Sequence, residues 1–338
     1  MTHKKTFQIG GIHLDKHKIS ALNPIIDAGV PELVYIPVRQ HIGAPAVLQK
    51  TKGDKVKIGT LLAAADGVVS ADVHSSVAGE IVKIEEMPGS SGYQELTVVI
   101  KTAPDEFETG IDTGSDIVKE ITASREEIIS AIRKAGIVGM GGAGYPTPIK
   151  TELPENKKAD CLIVNAIECE PYLTADGALM LEKAEQIIIG AKIINKALGI
   201  QNAVIAIDEN KPQAIEKLTK ISKSYIGVNV RVCKSKYPQG GERQLINAIT
   251  GREVGRLPID AGCIVQNVAT VFAVYEAVMK HKPLYERILT VSGNTALTTP
   301  GNYRVRVGTP AEYILDLAQT RKEEIGKLLF GGPMMGTA

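Results

Sequence analysis

The 338-residue chain has no tryptophan, and aromatic residues make up only 4% of it. That leaves few platforms for base stacking and argues against a single-strand nucleic-acid binder. Lys and Arg total 39 against 38 Asp and Glu, a formal charge of +1, so bulk charge favours neither nucleic acid nor an anionic membrane surface. Cys161, Cys169, Cys233 and Cys263 include no C-x-x-C pair, so no zinc or iron–sulfur framework is written here, and they read as buried free thiols. No apolar run reaches transmembrane length, because Ile187 to Ile200 is interrupted by Lys192 and Lys196. Met1-Thr2-His3-Lys4-Lys5 is followed by no apolar signal core, so a cytosol-facing protein is expected. At 44% hydrophobic and 23% charged, the remainder suits a globular chain of two or three domains.

What is present centres on Gly139-Met140-Gly141-Gly142-Ala143-Gly144-Tyr145-Pro146-Thr147-Pro148-Ile149-Lys150. Such a backbone carries almost no bulk and can bring its N–H groups against a phosphate or a flat ring. The spacing also matches G-x-G-x-x-G, but that fingerprint needs a strand before it and a helix after it. Here Ser124-Arg125-Glu126-Glu127 is a capping box that opens a helix through Ile128, Ile129 and Ile132, with Gly136 as its stop. The glycines follow a helix. Two prolines then predict a stiff, non-helical exit.

Residues 30–100 read as all-β, with short runs at Leu33–Ile36, Val68–Val69, Gly79–Val82 and Leu96–Ile100. Lys52–Val56 with Ser75–Ile81 resembles a biotinyl or lipoyl carrier, a flattened barrel of two small sheets. Val68 stands where those carriers hold the modified lysine. His13 and His17 have helical metal-ligand spacing without an accompanying motif, and His41 and His74 read as structural. Residues 102–120 read as a solvated linker.

From 160 to 233 the pattern becomes strand–helix–strand–helix–strand, with strands at Cys161–Val164, Ala203–Ile207 and Val228–Val232. Right-handed crossovers would make this a doubly wound unit that gathers ligands at the carboxyl ends of its strands. The first strand runs into Asn165, Glu168 and Glu170, whose polar groups suit ribose hydroxyls or a ring edge. Tyr237, Gly240 and Glu242 precede one helix, and Gln266-Asn267-Val268-Ala269-Thr270 opens another that could receive a phosphate.

Taken in order, Gly139, Gly141, Gly142, Ala143, Gly144, Tyr145 and Lys150, then Asn165, Glu168 and Glu170, then Tyr237, Gly240 and Glu242, then Asn267 and Thr270 resemble the FMN- and NADH-binding subunit of respiratory complex I. With Gly10–His13, Gln40–Ala46 and Gly331–Gly336 added, nearly the whole chain resembles the C-subunit family of the Rnf ion-translocating ferredoxin:NAD oxidoreductase. The resemblance implies an α/β multidomain fold. Its parts are a barrel-sandwich hybrid over 1–110 without a carrier lysine, a Rossmann-like FMN/NADH-binding domain over 111–285 and a soluble-ligand-binding β-grasp domain over 286–338. It implies that Gly139, Gly141, Gly142 and Lys150 contact FMN and the incoming nucleotide, and that Tyr145 stacks near the nicotinamide. Asn165 and Glu168 would hold the flavin, Glu170 and Glu242 would border the nicotinamide, and Gly240, Asn267 and Thr270 would meet the ribityl phosphate. Ala143, Gly144 and Tyr237 complete the cofactor-binding set.

The implied function is that of a peripheral electron-entry or electron-exit subunit on the cytoplasmic face of the membrane. It would partner the other subunits of a redox complex and, indirectly, ferredoxin, with no spanning segment and no resident metal of its own. Hydride would pass directly between NADH and FMN, so no catalytic acid or base is required. The alternatives are the flavin module of a cobalamin reductase or a proline reductase electron-transfer protein, and a non-catalytic scaffold. Two departures stand out. Met140 replaces an Arg of the complex I pattern, and Thr151-Glu152-Leu153-Pro154 and Arg256-Leu257-Pro258 carry no adenine-stacking phenylalanine. The resembled family continues beyond Ala338 into a domain with two 4Fe-4S motifs, so truncation before that domain is expected.

Overall fold

The computed structural model describes residues 4–89, 92–153, 156–294 and 296–338. The readings of Met1–His3 and of Pro154 lie outside them. Strand β1 (Ile25–Asp27) precedes a β-rich unit of β2 (Leu33–Pro37), β3 (Val47–Leu48), β4 (Lys55–Val56), β5 (Leu61–Ala64), β6 (Val73–His74), β7 (Gly79–Pro88) and β8 (Gln94–Thr102). β2, β8, β7 and β4 form one antiparallel sheet, and β3, β5 and β6 form another. Val34 and Ile36 of β2 and Val98 and Ile100 of β8 meet Leu62, Val73 and Ile81 in one core, as a two-residue period requires. Val68 and Val69, read as strand, lie instead in the bend between β5 and β6. Gly67 turns the chain there at φ +90°, leaving Val68 80% exposed.

Residues 103–124 contain no helix or extended strand, and an ion pair of 2.8 Å from Lys280 to Asp112 fastens them down. α1 (Arg125–Lys134) begins at the expected capping box: the Glu127 N–H donates to Ser124 Oγ at 3.2 Å and the Ser124 N–H to Glu127 Oε2 at 2.7 Å. The exit from the glycine loop differs from expectation, because Thr147–Thr151 is a short helix, α2, with Pro148 in its first turn. A proline is harmless there, since first-turn N–H groups have no intrahelical partner.

The central unit then runs β9 (Cys161–Ala166), α3 (Ala175–Glu182), α4 (Ala184–Leu198), β10 (Ala203–Asp208), α5 (Pro212–Ser222), β11 (Val228–Cys233), α6 (Glu242–Thr250), β12 (Cys263–Asn267) and α7 (Val268–Met279). Its sheet is parallel in the order β11-β10-β9-β12. β12 escapes the sequence reading because its five residues run straight into a helix, so Gln266 and Asn267 read as a helix start alone. Leu162, Val164 and Ala166 of β9 pack with α1, α4 and α7, whereas Ile163 and Ile167 pack with Leu245 and Ile246 of α6. A sheet covered on both faces accounts for the unbroken apolar run. α4 approaches α7 so closely that a Cβ on Gly190 would lie 2.2 Å from the Val271 carbonyl oxygen.

The last unit has β13 (Glu286–Val291), β14 (Gly301–Arg306) and α8 (Ala311–Leu317). Its sheet order is β1-β14-β13, β1 and β14 pairing in parallel from Ile25 opposite Asn302. Leu328–Gly332 joins none of the described sheets and forms a local bridge between Phe330 and Thr337. The third strand comes from the other end of the chain. Residues 4–27 therefore run outside the barrel sheets: Lys5 bridges Cys233, Ile12 bridges Tyr237, and β1 lies on β14.

Candidate functional site

The carboxyl ends of β9 and β12 lie side by side, with Asn165 opposite Asn267 in register. The sheet order reverses between these strands, opening a crevice where doubly wound sheets bind ligands. The glycine loop reaches into it. Its base is pinched shut by the Gly139 N–H donating to the Tyr145 carbonyl at 2.8 Å and by a bridge between Val138 and Pro146. Its tip is tied down where the Met140 N–H donates to Thr270 Oγ1 at 2.9 Å. Gly141 touches β12, since a Cβ there would stand 2.9 Å from Asn267 Cβ. Gly141, Gly142 and Ala143 remain exposed, and nothing lies within 4 Å of a Cβ built on Gly142. Gly144, at φ +63°, faces the barrel and receives a 3.3 Å hydrogen bond on its carbonyl from the Ile42 N–H.

The polar residues form two linked groups. In one, Asn165 Nδ2 donates to the Gly240 carbonyl at 2.8 Å, and Lys150 Nζ reaches Glu242 Oε1 at 2.9 Å and the Val265 carbonyl at 3.1 Å. A Cβ on Gly240 would stand 3.2 Å from Cys169 Sγ, which explains the glycine. In the other, Asn267 caps α7, accepting from the Ala269 N–H at 2.8 Å, and donates to Asp176 Oδ2 at 2.8 Å. The helix N–H groups expected to receive a phosphate are thus partly engaged by Asn267 itself.

Glu168, at φ +50°, turns its side chain inward to 5% exposure. Oε1 accepts from the Asp176 N–H at 2.7 Å; Oε2 has no hydrogen-bond partner among the described residues, although Lys211 Nζ stands 3.4 Å and Lys18 Nζ 4.0 Å away. Burial and the Glu168 carboxylate push Asp176 up to about 7. Burial also raises Glu170, whose Oε2 accepts from the Met334 N–H at 3.1 Å while Oε1 is buried without a partner among the described residues. The buried Glu170 Oε1, the open space at Gly142 and the Lys150 cation together fit a flat cofactor with ring-edge donors and a phosphate.

Residues 132–276 match the Nuo51 FMN-binding domain family, and residues 5–105 match the RnfC barrel sandwich hybrid domain. The C subunit of the proton-translocating ferredoxin:NAD(+) oxidoreductase complex of Clostridium ljungdahlii is 44% identical across 99% of this chain and 73% of its own length. The Na(+)-translocating counterpart of Acetobacterium woodii is 41% identical across 97% of this chain and 74% of its own. This chain belongs to the RnfC family. An RnfC relative in Rhodobacter capsulatus, the C subunit of its ion-translocating oxidoreductase complex, is 39% identical across 97% of this chain and 63% of its own length. The NAD+-reducing [NiFe]-hydrogenase in its air-oxidized state shares the fold, at TM-score 0.52 and 24% identity over 58% of this chain and 39% of that one.

In this RnfC chain the expected site residues gather at one end of the sheet, with two qualifications. Thr270 is fully buried and spends its hydroxyl on the glycine loop, and Tyr237 is paired through its backbone to Ile12. Sequence reasoning missed Lys18, Asp176, Lys211 and Arg287, whose guanidinium donates to the Met140 carbonyl at 3.2 Å. Only Asp176, eight residues beyond Glu168, lay close enough in sequence to be sought. His13 and His17 are not paired ligands: His13 Nδ1 contacts the Ser235 carbonyl at 3.1 Å, and His17 stacks on Tyr172 with ring centroids 4.9 Å apart. Cys161, Cys233 and Cys263 are buried, and Cys169 is half-buried beside Gly240. No helix among the described residues is long and apolar enough to cross a membrane.

Proposed function

We propose that this RnfC chain binds FMN in the crevice between β9 and β12 and exchanges hydride between it and NADH, as the peripheral subunit through which electrons enter or leave a ferredoxin:NAD oxidoreductase complex. The observation that carries the reading is the exposed glycine rim Gly141–Ala143 resting on Asn267 at the point where strand order reverses, inside the segment that matches an FMN-binding domain. FMN supplies the hydride acceptor or donor. The chain's own work is orientation. Gly141 and Gly142 leave room for ring and nucleotide to approach, while Asn165 and Asn267 present fixed amides at the strand ends. Lys150 offers the positive charge that Met140 does not. Glu168 and Glu170 would supply negative charge to the site, that of Glu168 being offset by Lys211 and Lys18.

The absence of aromatic side chains at Thr151–Leu153 and Arg256–Pro258 predicts weaker adenine stacking than in a site that has them. The finer proposals are a cytoplasmic-face location, two 4Fe-4S clusters in a domain beyond Ala338, unit boundaries near 110 and 285, and a β-grasp fold for the last unit. The mixed three-stranded sheet with α8 supports the last of these. The test is an anaerobic visible spectrum with FMN, then NADH and, separately, NADPH. Saturable FMN binding followed by bleaching with NADH is expected, and failure to bind FMN at high concentration overturns the reading.

A further inference from the structure

The acidic loop after β9 is held in an uncommon shape. Glu168 and Tyr172 both adopt left-handed backbone conformations, at φ +50° and +68°, which cost energy for residues with a Cβ. The loop turns the carbonyls of Glu168, Glu170 and Leu173 toward one point, and Lys18 Nζ sits there. It donates to Glu168 O and Glu170 O at 2.8 Å each and also to Leu173 O, with Glu168 Oε2 4.0 Å away. Three donors meet three convergent acceptors, which uses the whole hydrogen-bonding capacity of an ammonium. The side chain is only 13% exposed.

Neighbouring contacts come from the same N-terminal stretch. The Tyr172 N–H donates to Lys16 O at 2.8 Å, His17 stacks on Tyr172, and Ser20 Oγ lies 2.7 Å from Thr174 Oγ1. Residues 16–20 thus grip residues 168–174 along their length. Among these contacts only Lys18 brings a charge. Without it, three carbonyl dipoles would face one another across a buried space, and Lys211, 3.4 Å from Glu168 Oε2, would be left to balance that carboxylate.

We infer that Lys18 is a positioning residue for the flavin site, its ammonium acting as a tethered monovalent cation that fixes the Glu168–Leu173 loop and so aims Glu168 and Glu170 at the ligand. This rests on the proposed FMN site. The loop geometry itself does not, so the two can fail separately.

The test uses Lys18→Ala, which removes the atoms that propylammonium replaces, and Lys18→Arg, which keeps the charge but replaces a three-donor point with a planar fork. Hydrogen–deuterium exchange of residues 168–174 reads the tether without any cofactor. FMN fluorescence titration reads its consequence. Expected results are faster exchange in that segment and FMN binding weakened about tenfold or more in Lys18→Ala, the scale of leaving buried acceptors unpaired. Millimolar propylammonium should reverse both effects and tetramethylammonium, which has no N–H donor, should reverse neither; Lys18→Arg should stay impaired.

Unchanged exchange in Lys18→Ala overturns the tether. Altered exchange with FMN affinity within twofold of the parent protein overturns the link to the site. A variant that folds neither with nor without propylammonium makes Lys18 a general stability residue and also overturns the inference. If the parent protein binds no FMN, the proposed function falls, and the exchange experiment still decides the tether.

Discussion

Asn267 joins a helix to a half-buried acid: its Oδ1 accepts from the Ala269 N–H at 2.8 Å while its Nδ2 donates to Asp176 Oδ2 at 2.8 Å. One amide thus closes the end of α7 and satisfies a carboxyl group at the mouth of the crevice. Neither an acid nor an apolar residue can do both. Asn267→Ala should cost about 1–3 kcal/mol, from a lost cap and an orphaned acceptor, measured by urea unfolding. Asn267→Asp should keep the cap and instead oppose Asp176, so its destabilisation should grow as pH rises through 7.

Asp176 gives the parent protein a pH signature of its own. Its carboxyl group is raised from 3.8 to about 7, so between those values the folded state binds more protons than the unfolded state. The group's contribution to stability is fully present below pH 3.8 and is lost as pH rises through 7. Asp176→Asn removes this dependence. The difference in unfolding free energy between the two proteins should therefore shift toward the variant between pH 4 and pH 7, and an unchanged difference would refute the raised value.

Adjacent glycines separate packing from ligand approach. A Cβ on Gly141 strikes Asn267 at 2.9 Å, whereas one on Gly142 meets open space. Gly141→Ala should lower stability by about 1–3 kcal/mol through overpacking. Gly142→Ala should leave the melting temperature within a degree or two, on the order of a surface change, yet weaken FMN binding. Calorimetry paired with FMN titration distinguishes the two, and equal FMN affinity in Gly142→Ala would remove that residue from the site.

Lys150 bridges Glu242 and the Val265 carbonyl with 30% of its side chain exposed, so its ion pair contributes little to folding. Lys150→Met should change stability by less than about 1 kcal/mol. It should weaken FMN binding about tenfold in low salt if the ammonium serves the phosphate, and the loss should shrink as ionic strength rises. A salt-independent effect would point to lost packing.

What could be read from the sequence was local. The capping box at Ser124, the buried run of β9 and the glycine loop each carry their cause within a few residues. The same locality misled at Pro148, because two prolines read as a barrier to helix although the first turn tolerates one. β12 was hidden because Asn267 is both its last residue and the cap of α7. Nothing local could reveal that Lys18 reaches the Glu168 carbonyl across 150 positions, or that Lys211 supplies the second cation beside that carboxylate. The family pattern picked out residues that meet in one crevice; what holds them in shape comes from distant stretches of chain.

The parallel pairing of β1 with β14, fastened by Asp27 and Arg304 across 277 positions, sets an order of events during biosynthesis. β1 cannot reach its final place until β14 has emerged, whereas the barrel strands, which all lie between residues 33 and 102, can pair much sooner. Nascent chains that have released nothing beyond residue 300 should therefore contain a finished barrel and a β1 segment still without its partner strand.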